Sequence, residues 1–420
     1  MPGQSAYDCI VIGGGPAGAT AATLLADHGH ATLVLERARF PRYHIGESLM
    51  PQTYHTLKRL GLLEQMKASD FPTKESVQFV SASGKDSEPY FFTDRDPGEW
   101  SRTWQVPRDC FDLMMLNNAR ARGAEVCEGA SVERVLFDGD RACGVRLTIG
   151  SRSMDVRAKV VVDASGDRAL LSKQLRLHEP DADLHNGSIY TYYKNAYRDE
   201  GRNAGATMII STEGRKSWFW SIPLNNGITS VGLVGPPAVL FSGAGVKPPA
   251  VFEKAVDRCP GMRRRLEGAR RIAAVRVTKD FSYSAKRIAG RGWVLIGDAF
   301  AFIDPVYSSG VFLAIKSGEL AADAIHDALL ADDVGERNLG RFGEELLRGM
   351  DLLRNLVYAF YDPEFSVGRF LAKHPEYRDH LVRLLIGDVF DPDVGRVFGA
   401  MGTWTKLPDP KTLAWETAQE

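Results

Sequence analysis

The chain has 420 residues and carries 52 Lys plus Arg against 53 Asp plus Glu, a formal net charge of -1 that gives no electrostatic grip on nucleic acid or an anionic membrane surface. At about 100–200 residues per domain that length suggests two or three structural units, each large enough for a real core. The five cysteines (Cys9, Cys110, Cys127, Cys143, Cys259) are odd in number and scattered without a CxxC, so neither a disulfide framework nor a zinc site is expected.

The N-terminus lacks a basic segment leading into an apolar core, and no apolar run approaches about 18 residues. A cytoplasmic protein without a membrane span is the expectation. The first element, YDCIVI (Tyr7 to Ile12), is a buried-strand pattern that breaks into Gly13, Gly14, Gly15 and Gly18 before a helix-forming stretch from Ala19 to Asp27. ATLVLE (Ala31 to Glu36) is a second strand closing on an acid, which completes a βαβ unit.

In this unit Gly13-x-Gly15-x-x-Gly18 permits a tight turn, close approach of backbone to a pyrophosphate, and close packing of helix on strand. The helix N-terminus, with Pro16 and Ala17 in its first turn, offers amide hydrogens and a positive dipole. Glu36 stands where an acid accepts from ribose hydroxyls, with Arg37 beside it. Dinucleotide binding follows.

RDCFDLMMLNNARA (Arg108 to Ala121) predicts an amphipathic helix, and the stretch that follows, to about residue 150, is strand-like with a turn at Asp138 to Asp140. AKVVVDASGD (Ala158 to Asp167) predicts a buried strand ending in a glycine turn. From about Leu184 to Val234 the enrichment in Ile, Tyr, Thr, Trp and Val, with a turn at Asn225 to Gly227, predicts antiparallel strands. Residues 243–249 look like a surface connection. GWVLIGD (Gly292 to Asp298) is another strand ending in glycine and acid, Gly310 to Leu329 is a long helical pattern, and the tail from Arg348 to Phe398 has Leu352, Leu353, Leu356, Val357 and Phe360 at helical spacing.

Five segments carry a resemblance. VVVDASG (Val160 to Gly166) and GWVLIGDAF (Gly292 to Phe300) resemble the second and third flavin fingerprints of the flavoprotein monooxygenases. W-x-W-x-I-P (Trp218, Trp220, Ile222, Pro223), F-x-x-P-x-x-S-x-G (Phe302 to Gly310) and GESLMP (Gly46 to Pro51) together resemble the flavin-dependent halogenases over roughly residues 7 to 330.

The resemblance implies an α/β fold. A discontinuous Rossmann-like FAD-binding domain (1–70, 101–175 and 275–330) would carry an inserted antiparallel β-sheet substrate domain (71–100 and 176–274) and a C-terminal helical region (331–420). It implies that Gly13, Gly15, Pro16, Ala17, Gly18, Glu36, Arg37, Ser48, Arg108, Asp298 and Gly310 hold FAD, with Asp298 accepting from the ribityl chain and Arg108 in VPRDCFD lying along the cofactor.

The same resemblance implies the reaction. Reduced FAD from a separate flavin reductase, O2 and chloride or bromide would form hypohalous acid, Ser309 and Gly310 would bind the halide, and Lys74 would relay the oxidant to an electron-rich ring. Trp218, Trp220, Phe302 and Tyr307 would face the substrate. Tryptophan-type members carry a glutamate where this chain has Tyr307. The expected substrate is therefore a phenol or pyrrole, free or tethered to an acyl or peptidyl carrier protein, in natural-product biosynthesis of the antibiotic kind. Tyr307 is equally well read as a packing residue, and Phe91, Phe92, Trp100 and Trp104 as core beneath the pocket. His44 precedes the GES turn, but no HxE or HExxH arrangement suggests a metal.

Two other functions fit the same fingerprints. One is an FAD- and NAD(P)H-dependent aromatic hydroxylase, or a related reductase, and the other a flavin-binding protein without catalysis. Lys74 and the paired tryptophans favour the halogenase, because a hydroxylase must let the ring approach the flavin directly.

Overall fold

The first strand, β1 (Ala6–Ile12), is buried from Cys9 to Ile12 because it lies inside a parallel sheet covered on both faces, which is why its apolar run is unbroken. The computed structural model describes residues 1–241, 245–278 and 282–415. On one side β1 pairs with Arg152–Asp163, Ile12 opposite Asp163, and on the other with β2 (Thr32–Glu36). The main path of this sheet runs Ala289–Gly290, Trp293–Leu295, Arg152–Asp163, β1, β2, Glu125–Glu128.

Between β1 and β2 runs α1 (Pro16–Asp27), buried from Pro16 to Leu25 and packed along the helix Ser309–Leu330. The two helices touch backbone to backbone: a Cβ on Gly318 would lie 2.5 Å from the carbonyl oxygen of Ala17. The helix expected at Arg108 to Ala121 spans those residues, and the one expected from Gly310 is Ser309–Leu330.

The strand expected at Ala158 to Asp167 is longer and differently placed. It runs Arg152–Asp163, and only Val160 to Asp163 form a continuous buried stretch. Its first half leaves the parallel sheet to pair antiparallel with Arg141–Ile149, which in turn pairs with Ala130–Asp138. The exposed polar residues Arg152, Asp155 and Arg157 of that half hide it from a search for apolar runs.

A second eight-stranded sheet holds the antiparallel strands expected between Leu184 and Val234. In order it contains Arg270–Arg271, Gly187–Lys194, Ile228–Gly235, Trp218–Pro223, Thr207–Ser211, Ser76–Val80 and Tyr90–Phe91, with Arg276–Thr278 also on the Gly187–Lys194 edge. Its outer face has its own core, where Phe219 meets Phe252 edge-on at 5.8 Å under the helix Pro248–Arg258. The surface connection expected at 243–249 needs correction at its end. Residues 243 and 244 lie outside the described residues, but Pro248 and Pro249 open a helix, in the first turn where a missing N–H costs nothing.

The tail is helical as its spacing predicts, with helices Gly343–Tyr361, Val367–Lys373, Arg378–Ile386 and Val397–Met401. Residues 416–420 lie outside the described residues. Helix Gly343–Tyr361 packs against the turn Pro305–Tyr307 and so reaches the site described next. Among the described residues no helix is long and apolar enough to cross a membrane.

Candidate active site

A cavity of about 660 Å³ lies between the two sheets, and its two ends are built by different means. At one end β1 runs into the glycines. Gly13 has φ +106, and a Cβ there would sit 2.3 Å from the carbonyl oxygen of Ala164, so only glycine fits. Gly13, Gly15, Pro16 and Ala17 line the cavity. Gly18 does not; its missing Cβ would fall 2.0 Å from the Gly13 carbonyl, so its part is to let α1 lie on the turn. No side chain caps α1 at Gly15, which leaves the first amides of the helix to a ligand.

Glu36 ends β2 with its carboxylate fixed by two backbone donors, Gly14 N to Oε2 at 2.8 Å and Ala38 N to Oε1 at 2.7 Å. Arg37 lines the same end. Arg108, at the start of its helix, donates from Nε and Nη2 to Asp112 (2.7 and 3.0 Å) and from Nη1 to the carbonyls of Ile45 and Gly46 (2.8 and 3.1 Å). It therefore braces the turn that enters GESLMP while facing the cavity. Asp298, in the turn after Trp293–Leu295, also lines the wall; burial pushes its carboxyl up to about 7, against the pull of Arg108. A glycine cradle that any Cβ would fill, an uncapped helix N-terminus and a fixed acid at the second strand fit the pyrophosphate and ribose of a dinucleotide.

The other end is walled by side chains. Trp218 and Trp220 alternate on Trp218–Pro223 so that both rings face inward, 6.3 Å apart, and Phe302, Pro305, Val306, Ser308 and Gly310 stand opposite. Trp220 Nε1 donates to Ser230 Oγ at 3.1 Å and Trp218 Nε1 to Tyr361 Oη at 2.8 Å. Tyr361 in turn donates to Asp304 at 2.8 Å, and Asp304 also accepts from Asn186 Nδ2 (2.9 Å) and Val306 N (3.1 Å). Burial pushes Asp304 up to about 6. A chain of hydrogen bonds thus ties the C-terminal helix to both walls of this end.

Lys74, on the short strand Thr73–Lys74, is 3% exposed and has no carboxylate partner among the described residues. Its Nζ donates to Ser48 Oγ at 2.9 Å and to the Leu49 carbonyl at 3.0 Å, and burial brings its ammonium down to about 7. Lys74 does not itself line the cavity. Ser48 does, joined at 2.8 Å to Thr207 Oγ1, which also lines it and accepts from Gln105 Nε2 at 2.9 Å. The lysine therefore stands one hydroxyl behind the wall.

Like Gly18 and Lys74, the expected site residues Tyr307 and Ser309 lie off the cavity wall. Tyr307 points away from the cavity into the contact with helix Gly343–Tyr361, its hydroxyl 3.5 Å from the Leu356 carbonyl and its ring edge-on to Phe360 at 6.1 Å. It packs, because the turn Pro305–Tyr307 presents its other side to the cavity. Ser309 opens the long helix with its side chain buried, which leaves its expected backbone role open, and its neighbours Ser308, in the left-handed region at φ +61, and Gly310 line the cavity. Phe91, Phe92, Trp100 and Trp104 lie off the cavity wall, and Phe92 and Trp104 are buried core.

Glu47 was given no role by the sequence. It sits inside the GES turn, buried and lining the cavity, and accepts from Tyr192 Oη at 2.7 Å; burial pushes its carboxyl up to about 7. An acid wedged between Gly46 and Ser48 was the available signal. Asp304 and Tyr361 had none, since 57 positions separate them. His44 lines the cavity with Nδ1 2.7 Å from the Ile45 carbonyl, and among the described residues no group of His, Cys, Asp and Glu side chains is arranged to hold a metal ion.

A family model described as an FAD-binding domain matches residues 6–328. The 1H-pyrrole-2-carbonyl-[peptidyl-carrier protein] chlorinase of Pseudomonas fluorescens is 30% identical over 404 residues, which cover 91% of this chain and 90% of the relative. The 1H-pyrrole-2-carbonyl-[peptidyl-carrier protein] brominase of Pseudoalteromonas luteoviolacea is 32% identical, covering 92% and 93%. Among solved structures, a flavin-dependent brominase superposes with a TM-score of 0.86 at 30% identity over 95% of this chain and 99% of that one. The myxobacterial chondrochloren halogenase does so with 0.79 at 33% identity over 93% and 92%.

Proposed function

The chain belongs to the flavin-dependent halogenases, enzymes that use FAD to halogenate aromatic rings in natural-product biosynthesis, and from that premise we propose that it chlorinates or brominates a pyrrole or phenol held as an acyl thioester on a carrier protein. The tethered substrate is supported by the two relatives named for pyrrole-2-carbonyl groups on carrier proteins, each matched over about nine-tenths of its length or more. We place the enzyme in the cytoplasm, where its five free cysteines stay reduced, with reduced FAD delivered by a separate reductase.

FAD, when bound and reduced, supplies with O2 the oxidant that turns halide into hypohalous acid. Gly13, Gly15, Pro16, Ala17, Glu36 and Arg37 hold its pyrophosphate and ribose end, with Gly18 keeping α1 close, while Ser48, Arg108, Asp298 and Gly310 lie along the remainder. The backbone at Ser308, Ser309 and Gly310, where a left-handed residue turns the chain into the long helix, holds the halide without a competing full charge. Trp218, Trp220 and Phe302 keep the ring away from the flavin and exclude water.

Lys74 carries the assignment. A buried amine with no counter-ion among the described residues, its ammonium brought down to about 7, can react as a free base or point an N–H at the oxidant, and Ser48 links it to the cavity. The test supplies reduced FAD, O2, bromide and pyrrole-2-carbonyl carrier protein, with a free phenol in parallel, and reads product by mass. Lys74→Ala should lose about 10²–10⁴-fold in halogenation while flavin binding and reoxidation persist. Undiminished halogenation removes the lysine from the mechanism, and halide-independent hydroxylation driven by NAD(P)H would put an aromatic hydroxylase in its place.

A further inference from the structure

A ring carried on a protein needs somewhere for that protein to sit, because a cavity of about 660 Å³ admits the acyl group and not its carrier. In this near-neutral chain, residues 258–276 hold seven arginines (258, 263, 264, 265, 270, 271 and 276) against one carboxylate, Glu267. Arg264 and Arg265 are engaged by Asp86, and Arg271 by Glu253. Arg258, Arg263, Arg270 and Arg276 are exposed, with no carboxylate at ion-pair distance among the described residues.

The same region exposes apolar surface. Of the seven large hydrophobic side chains that the described residues leave exposed, Ile272, Val277, Tyr43 and Tyr197 lie here. The Arg276 guanidinium stacks 3.8 Å over the Tyr43 ring, and the Tyr197 amide donates to the Arg265 carbonyl at 2.8 Å. Arg270–Arg271 and Arg276–Thr278 are the outermost strands of the second sheet, paired with Tyr193–Lys194 and Ser188–Tyr190. An open edge would invite unwanted strand pairing, and its arginines guard against that while leaving it able to take a partner of opposite charge.

The edge also borders the cavity. Ser188, Tyr190, Thr278 and Tyr43 line it, so Arg276 and Val277 stand at its rim. Resting on the carrier-bound substrate proposed above, we propose that the edge formed by Arg270, Ile272, Arg276 and Val277 is the docking surface for an acidic face of the carrier protein, which passes its acyl thioester into the cavity past Tyr43 and Thr278. Charge would steer and orient the encounter, and the apolar residues would fill the centre of the contact.

The experiment compares one acyl group in two forms, pyrrole-2-carbonyl on a peptidyl carrier protein and on N-acetylcysteamine, with chemically reduced FAD so that no reductase is needed. In the full-length enzyme, Arg270→Glu combined with Arg276→Glu should raise KM for the carrier-bound form about tenfold or more, leaving kcat and turnover of the small thioester unchanged. Salt at about 0.5 M should reproduce the effect in the parent protein and add little in the variant. Arg270→Glu alone, which leaves the Tyr43 stack intact, should act in the same direction and guards against a local folding defect. An unchanged KM for the carrier-bound form overturns the docking surface while the tethered substrate stands. If the parent halogenates the small thioester but never the carrier-bound one, the tethered substrate itself fails, and the docking surface with it. A defect seen only when a reductase supplies the flavin would assign the edge to the reductase and overturn the proposal.

Discussion

The two ends of the cavity are specified in opposite ways. The pyrophosphate end is defined by atoms that must be missing: no Cβ at Gly13 or Gly18, no cap on α1. The ring end is defined by ionisable groups that must be present and buried, Lys74, Glu47 and Asp304, each displaced toward neutrality by burial. Backbone clearance makes a cradle at Gly13 and Gly18 that is rigid and holds no titrating group, whereas buried charge makes a site that is reactive and unstable in the same measure.

The sharpest break in that contrast would come from Gly13→Ala. The new methyl meets the Ala164 carbonyl at 2.3 Å in a left-handed conformation, a cost of about 3 kcal/mol or more, so the purified variant should carry little flavin and melt early. Full flavin content would show that the turn can open. Lys74→Ala belongs at the other extreme, with flavin content intact and halogenation lost, so the pair of variants separates holding the cofactor from using it.

Tyr361→Phe probes the link between the ring end and the C-terminal helix. It leaves Trp218 Nε1 without its acceptor and Asp304 without one donor, at about 1–3 kcal/mol. We expect the KM for halide to rise several-fold with FAD affinity unchanged; an equal loss of FAD affinity would mean the two ends are not independent.

The smallest effect concerns Glu47. Its folded carboxyl, pushed from 4.5 to about 7, keeps a proton that the unfolded chain releases, so the stability it contributes is present at low pH and is lost as pH rises from about 4.5 through about 7. Glu47→Gln cannot lose that proton and keeps an acceptor for Tyr192. The flavin-free variant should therefore match its parent at pH 4.5 and melt higher at pH 8; a Tm difference independent of pH would remove the buried charge as its cause.

The contrast also explains what the sequence made legible. Backbone constraints act at fixed short spacing, so Gly13, Gly15, Gly18 and the acid at Glu36 could be read along the chain, as could the helix from Arg108 to Ala121. Side-chain networks join distant positions. Asp304 finds Tyr361, and Lys74 finds Ser48 and, through it, Thr207, at separations that no local pattern reveals. The motif ending in Ser308, Ser309 and Gly310 fixed a place but not a direction, since the left-handed turn at Ser308 decides which side of the chain meets the cavity. Of the two readings open for Tyr307, facing the substrate or packing, the structure takes the packing one for the same reason.

The close crossing of Gly318 on Ala17 sets a distance as well as a contact. Ala17 stands beside the expected pyrophosphate, Gly310 at the proposed halide site, and the rod between Gly310 and Gly318 advances 1.5 Å per residue, about 12 Å in all. One helix therefore serves as the gauge for both ends of the cavity. A residue inserted between those two glycines would rotate the proposed halide turn by about 100° while the glycine cradle stayed in place, so the spacing of the two ends is held by counting residues along a single element.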